Sequence, residues 1–314
     1  MPFLSINFPS WLKPEIIPGL PLRWYGLMYI FAFATAFLLY RKQVKERNFP
    51  MTSDNLTSLF FWGILGLLLG ARLFSTLIYD STGIYAREPW LIFWPFRNGQ
   101  FTGLQGMSYH GGAFGGLLAV IIYAKAKKVS FREIGDMFAA AIPLGFTFGR
   151  LGNFINGELY GRVTTVPWGM IFPASGDGLP RHPSQLYQAL FEGIVLWLLI
   201  WFFRNRKPFK GFLVGLYFLG YGFIRFIIEY FREPDVDLGF RIVIGNNPIL
   251  SFTTGQILCL WMIAFGIVWL LIASRLPDRK PIRIYADEHT RLHINKEDAA
   301  KERNKRRKMR KKLK

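Results

Sequence analysis

Seven apolar stretches, at roughly 24–40, 58–79, 108–124, 134–153, 186–203, 211–230 and 254–274, constrain this chain more than anything else in it. A bilayer core ~30 Å thick needs about 20 mostly apolar residues to cross it as a helix. Composition agrees, since 51% hydrophobic and 17% aromatic residues exceed what one soluble core would use. The expectation is an all-α integral membrane protein with seven transmembrane helices. An odd number of crossings puts the two termini on opposite sides.

Basic residues set the orientation, because cytoplasmic loops carry the positive excess. Four follow the first stretch (Arg41, Lys42, Lys45, Arg47), four the third (Lys125, Lys127, Lys128, Arg132) and four the fifth (Arg204, Arg206, Lys207, Lys210), and sixteen follow the seventh. The opposite side holds two in each segment: Lys13 and Arg23, Arg87 and Arg97, Arg162 and Arg181, Arg232 and Arg241. The N-terminus is therefore expected outside and the C-terminus in the cytoplasm. A membrane domain covers 1–274, and 275–314 is a basic, flexible cytoplasmic tail. The tail supplies most of the net charge of +19 and suits anionic inner-leaflet lipid rather than nucleic acid. The start of the chain lacks a basic region followed by an apolar run, so the first apolar stretch is expected to serve as the insertion signal. Outer loops 80–107 and 161–185, with Trp90, Trp94, Phe96, Trp168 and Phe172, suit short outer-face helices or re-entrant segments, as lids or aromatic belts.

Three basic residues, Arg72, Arg150 and Arg225, fall inside the stretches. A guanidinium at mid-bilayer costs roughly 2.5–3.5 kcal/mol on insertion scales unless a partner, water or headgroup compensates it, so each is a candidate functional residue. The densest polar run is Gly149 to Gly161, which sets an arginine, two asparagines, a glutamate and four glycines against the end of an apolar stretch. With about 1.5 Å of rise per residue, Arg72, Arg150, Tyr221, Arg225 and Glu229 reach the outer half of their helices. Tyr25 and His110 begin theirs there, and Asn153, Asn156 and Glu158 follow Arg150 at the same depth. The set combines three guanidiniums able to hold an anion, an imidazole and a phenol able to move protons, and two carboxylates. Guanidinium forks match phosphate, and an outer-leaflet phospholipid headgroup is the expected anion.

Plainer roles exist for each residue. Arg72 can pair with Asp80 or snorkel to the surface, and Arg225 and Glu229, four apart, can form an ordinary ion pair. Tyr25 and Tyr221 can be belt residues, His110 a packing histidine, and the glycines close-packing positions between helices. No metal site is expected, because His182 is the only other outward histidine and no ligand spacing occurs.

Taken together, Gly149–Gly161 fit the pattern G-R-x-G-N-F-x-N-x-E-x-x-G, and the chain resembles the prolipoprotein diacylglyceryl transferases of bacteria. Arg23–Tyr29 (RWYGLMY), Gly106–Gly112 (GMSYHGG), Arg181–Tyr187 (RHPSQLY) and Gly220–Arg232 agree with that family, so the resemblance spans about residues 20–274. It implies transfer of diacylglyceryl from phosphatidylglycerol to the lipobox cysteine thiol of preprolipoprotein signal peptides, forming a thioether and releasing glycerol 1-phosphate. No cofactor is needed. The enzyme would be a multi-pass protein of the bacterial cytoplasmic (inner) membrane, its active site facing the outer leaflet.

In this reading Arg150 and Arg225 bind the phosphate and stabilise charge as the C–O bond breaks. Asn153, Asn156 and Glu158 orient the headgroup and Arg150; Arg72 and Tyr25 complete the lipid site; Glu229 and Arg232 either hold Arg225 or contact the peptide. The thiol must lose its proton, and either His110 or Tyr221 can take it. Two features depart from the family pattern: the long basic tail, and Gln188 where a glutamate is familiar. The alternatives are an organic-anion transporter or a non-catalytic lipid-binding scaffold, but the polar residues stop at the outer half and no internal repeat occurs. Because the nucleophile belongs to the substrate, Cys259→Ser, which removes the chain's one cysteine, is expected to keep full thioether-forming activity in a peptide-lipidation assay.

Overall fold

The computed structural model describes residues 5–17, 19, 22–47, 49–97, 99–104, 106–233, 240–242, 251–277 and 303. The expectation of a flexible tail therefore falls, apart from 275–277 and 303, outside the described residues. All seven apolar stretches are helical. In chain order the helices are α1 (Trp24–Glu46), α2 (Ser53–Leu77), α3 (Ile84–Arg87), α4 (Tyr109–Ala126), α5 (Phe131–Ala139), α6 (Ile142–Ile155), α7 (Ser184–Tyr187), α8 (Leu196–Phe203), α9 (Phe212–Ile228) and α10 (Thr254–Arg275). A π-helical segment, Gln188–Val195, joins α7 to α8, so that Ser184–Phe203 runs as one helix.

Among the described residues, three helices are long and apolar enough to cross a membrane: Ser53–Leu77, Ser184–Phe203 and Thr254–Arg275. The pair α5–α6, bent by 45°, makes a fourth if it counts as one span. Pro143 begins α6 where its missing N–H is not needed, which allows the bend without an orphaned donor. The helix α9 is apolar but has 17 residues; α1 and α4 are long enough but less apolar, α1 for its basic end and α4 for its glycines, His110 and Lys125. Outward faces are oily in a way no water-facing helix would be, with Trp261 71% and Phe223 61% exposed.

The outer loops depart from all-α. Phe96–Arg97 (β2) pairs antiparallel with Gln100–Phe101 (β3), and Ile6–Asn7 (β1), Met170–Ile171 (β4) and Pro180–Arg181 (β5) form a sheet in the order β1-β4-β5. Proline and glycine at Pro95, Gly99, Pro173, Gly176 and Gly178 interrupt any helix there and leave short paired pieces.

The described residues up to 277 fall into two compact units, 5–43 with 132–277, and 44–131. In the second unit α2 and α4 pack antiparallel. The hydroxyl of Tyr123 donates to the carbonyl of Asn55 (2.7 Å) at one end, and the amide of Ser108 donates to that of Ala71 (2.9 Å) at the other. A Cβ at Gly70 would lie 2.3 Å from the Gly111 carbonyl, so glycine is required for this approach.

In the first unit a small core of Ala139, Ala140, Leu196, Ile200 and Leu213 fixes α5, α8 and α9 together. Beside it the fully buried carboxylate of Asp136 accepts hydrogen bonds from the amides of Gly211 (2.9 Å), Leu213 (2.9 Å) and Val214 (3.3 Å) and pairs with Lys207 (2.7 Å). It therefore caps the first turn of α9 from a neighbouring helix, where a negative charge is favoured. Arg132 does the converse at the end of α10, donating to the carbonyls of Ala273, Leu276 and Pro277. Asp136→Ala would strand three amides and a lysine. It is expected to lower stability by about 3 kcal/mol or more, visible as an earlier unfolding midpoint in detergent.

Candidate active site

The polar run Gly149–Gly161 folds back on itself. The helix α6 ends at Ile155, and Gly157, at φ +67°, turns the chain so that the Glu158 amide donates to the Asn153 carbonyl (3.1 Å). A positive φ is what glycine supplies cheaply. The turn brings the side chains of Asn153, Asn156 and Glu158 together: the amide groups of Asn153 (2.9 Å) and Asn156 (3.2 Å) both donate to Glu158 Oε1. Asn153 in turn accepts from Arg150 Nη1 (3.3 Å). The asparagines thus connect an exposed carboxylate to the guanidinium, which also lies over the Phe146 ring at 4.7 Å. Arg150 Nε is buried without a hydrogen-bond partner.

Glycines at the flanks admit neighbours. Tyr25 and Met28 of α1 lie against Gly152, so that a Cβ there would come within 3.0 Å of the Tyr25 ring. The Tyr25 hydroxyl pairs with that of Tyr29 (3.0 Å). Gly161 passes between Phe231 and His182, where any side chain would collide with the Phe231 carbonyl. Its amide donates to the His182 carbonyl (2.8 Å), and that of Arg162 donates to Phe231 (3.0 Å). His182 Nδ1 meets the Tyr187 hydroxyl (3.1 Å), and burial lowers the His182 pKa, so the imidazole is neutral at pH 7.

A second cluster sits at the end of α9. Arg225 pairs with Glu229 one turn on (2.7 Å) and with Glu192 of the π-helical segment (3.4 Å). Glu229 also faces Arg232 (3.8 Å) and accepts from the Thr253 hydroxyl (3.2 Å). The Tyr221 phenol hydrogen-bonds Glu192 and stacks on Tyr217. Both carboxylates are buried, Glu192 at 1% and Glu229 at 3% exposure. The two clusters share one field, since Arg150 interacts electrostatically with Glu192, Tyr221, Arg225 and Arg232. The crossing of α6 with the π-helical segment explains the proximity: a Cβ at Gly193 would fall 2.0 Å from Thr147 Oγ1, and Thr147 is one turn before Arg150.

Of the residues singled out from sequence, the first unit holds Tyr25, Arg150, Asn153, Asn156, Glu158, Tyr221, Arg225, Glu229 and Arg232. His110 and Arg72 belong to the second. His110 is exposed in the first turn of α4, its Nδ1 3.5 Å from the Tyr79 hydroxyl. Arg72 is 3% exposed and donates to the carbonyls of Leu91 (2.8 Å), Ile92 (2.5 Å) and Gly106 (3.1 Å), with the Tyr85 ring 5.2 Å away. Asp80 takes hydrogen bonds from Thr82 and Tyr85, and the Thr82 hydroxyl is the main reason its pKa lies below the usual carboxylate value.

Sequence reasoning missed Glu192 and gave no role in the site to its buried neighbours Gln185 and Gln188. The available signal was their spacing of three and four, which puts all three on one face of an otherwise apolar helix. Gln185 donates to the Glu158 carbonyl (2.6 Å), tying this stripe to the turn after Arg150.

Known proteins resemble this chain along most of its length. The model of the family described as "Prolipoprotein diacylglyceryl transferase" matches residues 14–272. Proteins named phosphatidylglycerol–prolipoprotein diacylglyceryl transferase are similar along most of the chain. That of Treponema denticola is 51% identical, covering 86% of this chain and 94% of its own length. That of Treponema pallidum is 45% identical (89% and 98%), and that of Chlorobaculum tepidum 46% identical (84% and 91%). A match of this extent, through the turn that carries Arg150 and the helix that carries Arg225, establishes that the chain belongs to the prolipoprotein diacylglyceryl transferase family.

Proposed function

We propose that this protein moves diacylglyceryl from phosphatidylglycerol to the lipobox cysteine of preprolipoproteins, in the bacterial cytoplasmic membrane. The observation that carries the reading is the set of three guanidiniums, Arg150, Arg225 and Arg232, held by buried partners beside the family's signature turn. The seven helices then cross the bilayer with the N-terminus outside, and the site opens to the outer leaflet where both substrates are exposed. Arg150 has a buried Nε without a partner, so a phosphate oxygen would supply what the protein does not.

The chemistry is a displacement at carbon. The thiol gives up its proton, sulfur forms the C–S bond, and the C–O bond breaks with its electron pair passing to the phosphate oxygen of glycerol 1-phosphate. Arg150 and Arg225 stabilise that developing charge; hydrogen bonds fixed in advance in a dry site do this most effectively. Asn153, Asn156 and Glu158 set the Arg150 fork and meet the glycerol hydroxyls, while Tyr25 lines the lipid side. Arg72 contributes by tying Leu91 and Ile92 to Gly106 through the three carbonyls it binds. His110 and Tyr221 are the two candidate bases.

Arg150→Ala is expected to cut diacylglyceryl transfer by about a hundredfold or more while the protein still folds, followed by peptide mass with phosphatidylglycerol in detergent; normal turnover would sink the phosphate-anchor role. His110→Gln and Tyr221→Phe separate the bases. The variant lacking the true base should lose on the order of a hundredfold in kcat at unchanged KM for the lipid, and the other less than tenfold.

A further inference from the structure

Glu192 has no part in the reading above, yet it is the most enclosed charge near the guanidiniums. It stands on the π-helical segment Gln188–Val195, a kind of local irregularity that often occurs at functional sites. Among the described residues, the titratable groups that interact with it most strongly are Tyr221 and Arg225 from α9 and Arg150 from α6, and Cys259 from α10 also feels its charge. Its Oε1 meets Arg225 at 3.4 Å, and its Oε2 is buried with no hydrogen-bond partner. Arg225 already has a closer partner in Glu229 at 2.7 Å, so Glu192 is not needed merely to neutralise it.

The charges can be counted. By formal count Arg150, Arg225 and Arg232 are three cations and Glu192 and Glu229 two anions, so the set carries one formal net positive charge. Glu158, being exposed, is screened by solvent. We propose that Glu192 is a specificity-determining residue that tunes this site to a phosphodiester bearing a single negative charge. The assignment rests on the transferase reading. In that reaction the ligand changes charge: the phosphodiester monoanion becomes a phosphate monoester, whose second pKa of about 6 makes it a dianion at pH 7 once the thiol proton is on the base. A site with one net positive charge matches the substrate and lets the dianionic product go. With Glu192 neutralised, the same site would carry two positive charges and would hold the product.

The test is inhibition by added glycerol 1-phosphate in the lipidation assay, using the full chain. Glu192→Gln is expected to bind glycerol 1-phosphate on the order of tenfold tighter or more, with kcat lowered and KM for phosphatidylglycerol unchanged or lower. Glu192→Asp keeps the charge and should return the inhibition constant to near the wild-type value. An unchanged constant in folded Glu192→Gln, or the same shift in Glu192→Asp, would overturn the proposal, because shape rather than charge would then matter. If Glu192→Gln does not fold, Gln188→Glu changes the charge in the opposite direction from a buried position four residues earlier. Its expected result is weaker inhibition, and an unchanged constant would again overturn the assignment. Failure of the wild-type protein to transfer diacylglyceryl at all would instead remove the transferase reading.

Discussion

Arg225 between Glu192 and Glu229 is the interaction on which the first unit depends. It draws on three separate pieces of chain: the π-helical segment through Glu192, α9 through its own side chain, and the start of α10 through the Thr253 hydroxyl on Glu229. A carboxylate at the end of a helix faces the negative end of the helix dipole, so Glu229 would be misplaced alone. Arg225 and Arg232 on either side reverse that disadvantage. Removing one member of such a buried set leaves the others as uncompensated charges, a larger loss than the pair itself contributes.

The two ends of α9 are secured in the same manner. Asp136 reaches into its first turn and binds the amides of Gly211, Leu213 and Val214, and the carboxylates of Glu192 and Glu229 hold its last turn. Gly211 makes the first arrangement possible: at φ +93° it begins the helix, with the Trp269 indole so close that a Cβ would lie 3.2 Å from its nitrogen. In helices whose outer faces are apolar, such enclosed polar contacts define position where hydrophobic contact alone would allow sliding. Arg225 is thereby held at a set height, and in the proposed reaction a site that stabilises developing charge benefits from groups that need not reorganise.

The turn after Arg150 works by a different device. No buried ion pair fixes it; a relay of amides does, from Arg150 through Asn153 to Glu158, with Gln185 closing the backbone from the neighbouring helix. Leu159, at φ +56°, shares the left-handed conformation with Gly157, and the Ser184 hydroxyl donates to its carbonyl (3.0 Å). Strain of this kind persists where the surroundings over-determine the backbone. Arg150 therefore presents a guanidinium whose direction is set, with one nitrogen left buried and unsatisfied.

The sequence by itself determined the membrane class, the position of the seven apolar helical stretches to within a few residues, and the choice of Arg150, Asn153, Glu158, Arg225 and Glu229 as candidate residues. These follow from local physics: apolar length, and the cost of charge in an apolar helix. Tertiary structure decided which charges meet. Arg232, outside any apolar stretch, joins Arg150 and Arg225, while Arg72 is occupied by the carbonyls of its own unit. Glu192 escaped notice because one carboxylate in an apolar segment has no local partner; Arg225 lies 33 residues away and Arg150 on another helix. The short strands of the outer loops were equally illegible, since two-residue pairings such as β1 with β4 depend on segments more than 150 residues apart. Side-chain cost can be read along the chain, but the compensation for that cost comes from helices brought together only by folding.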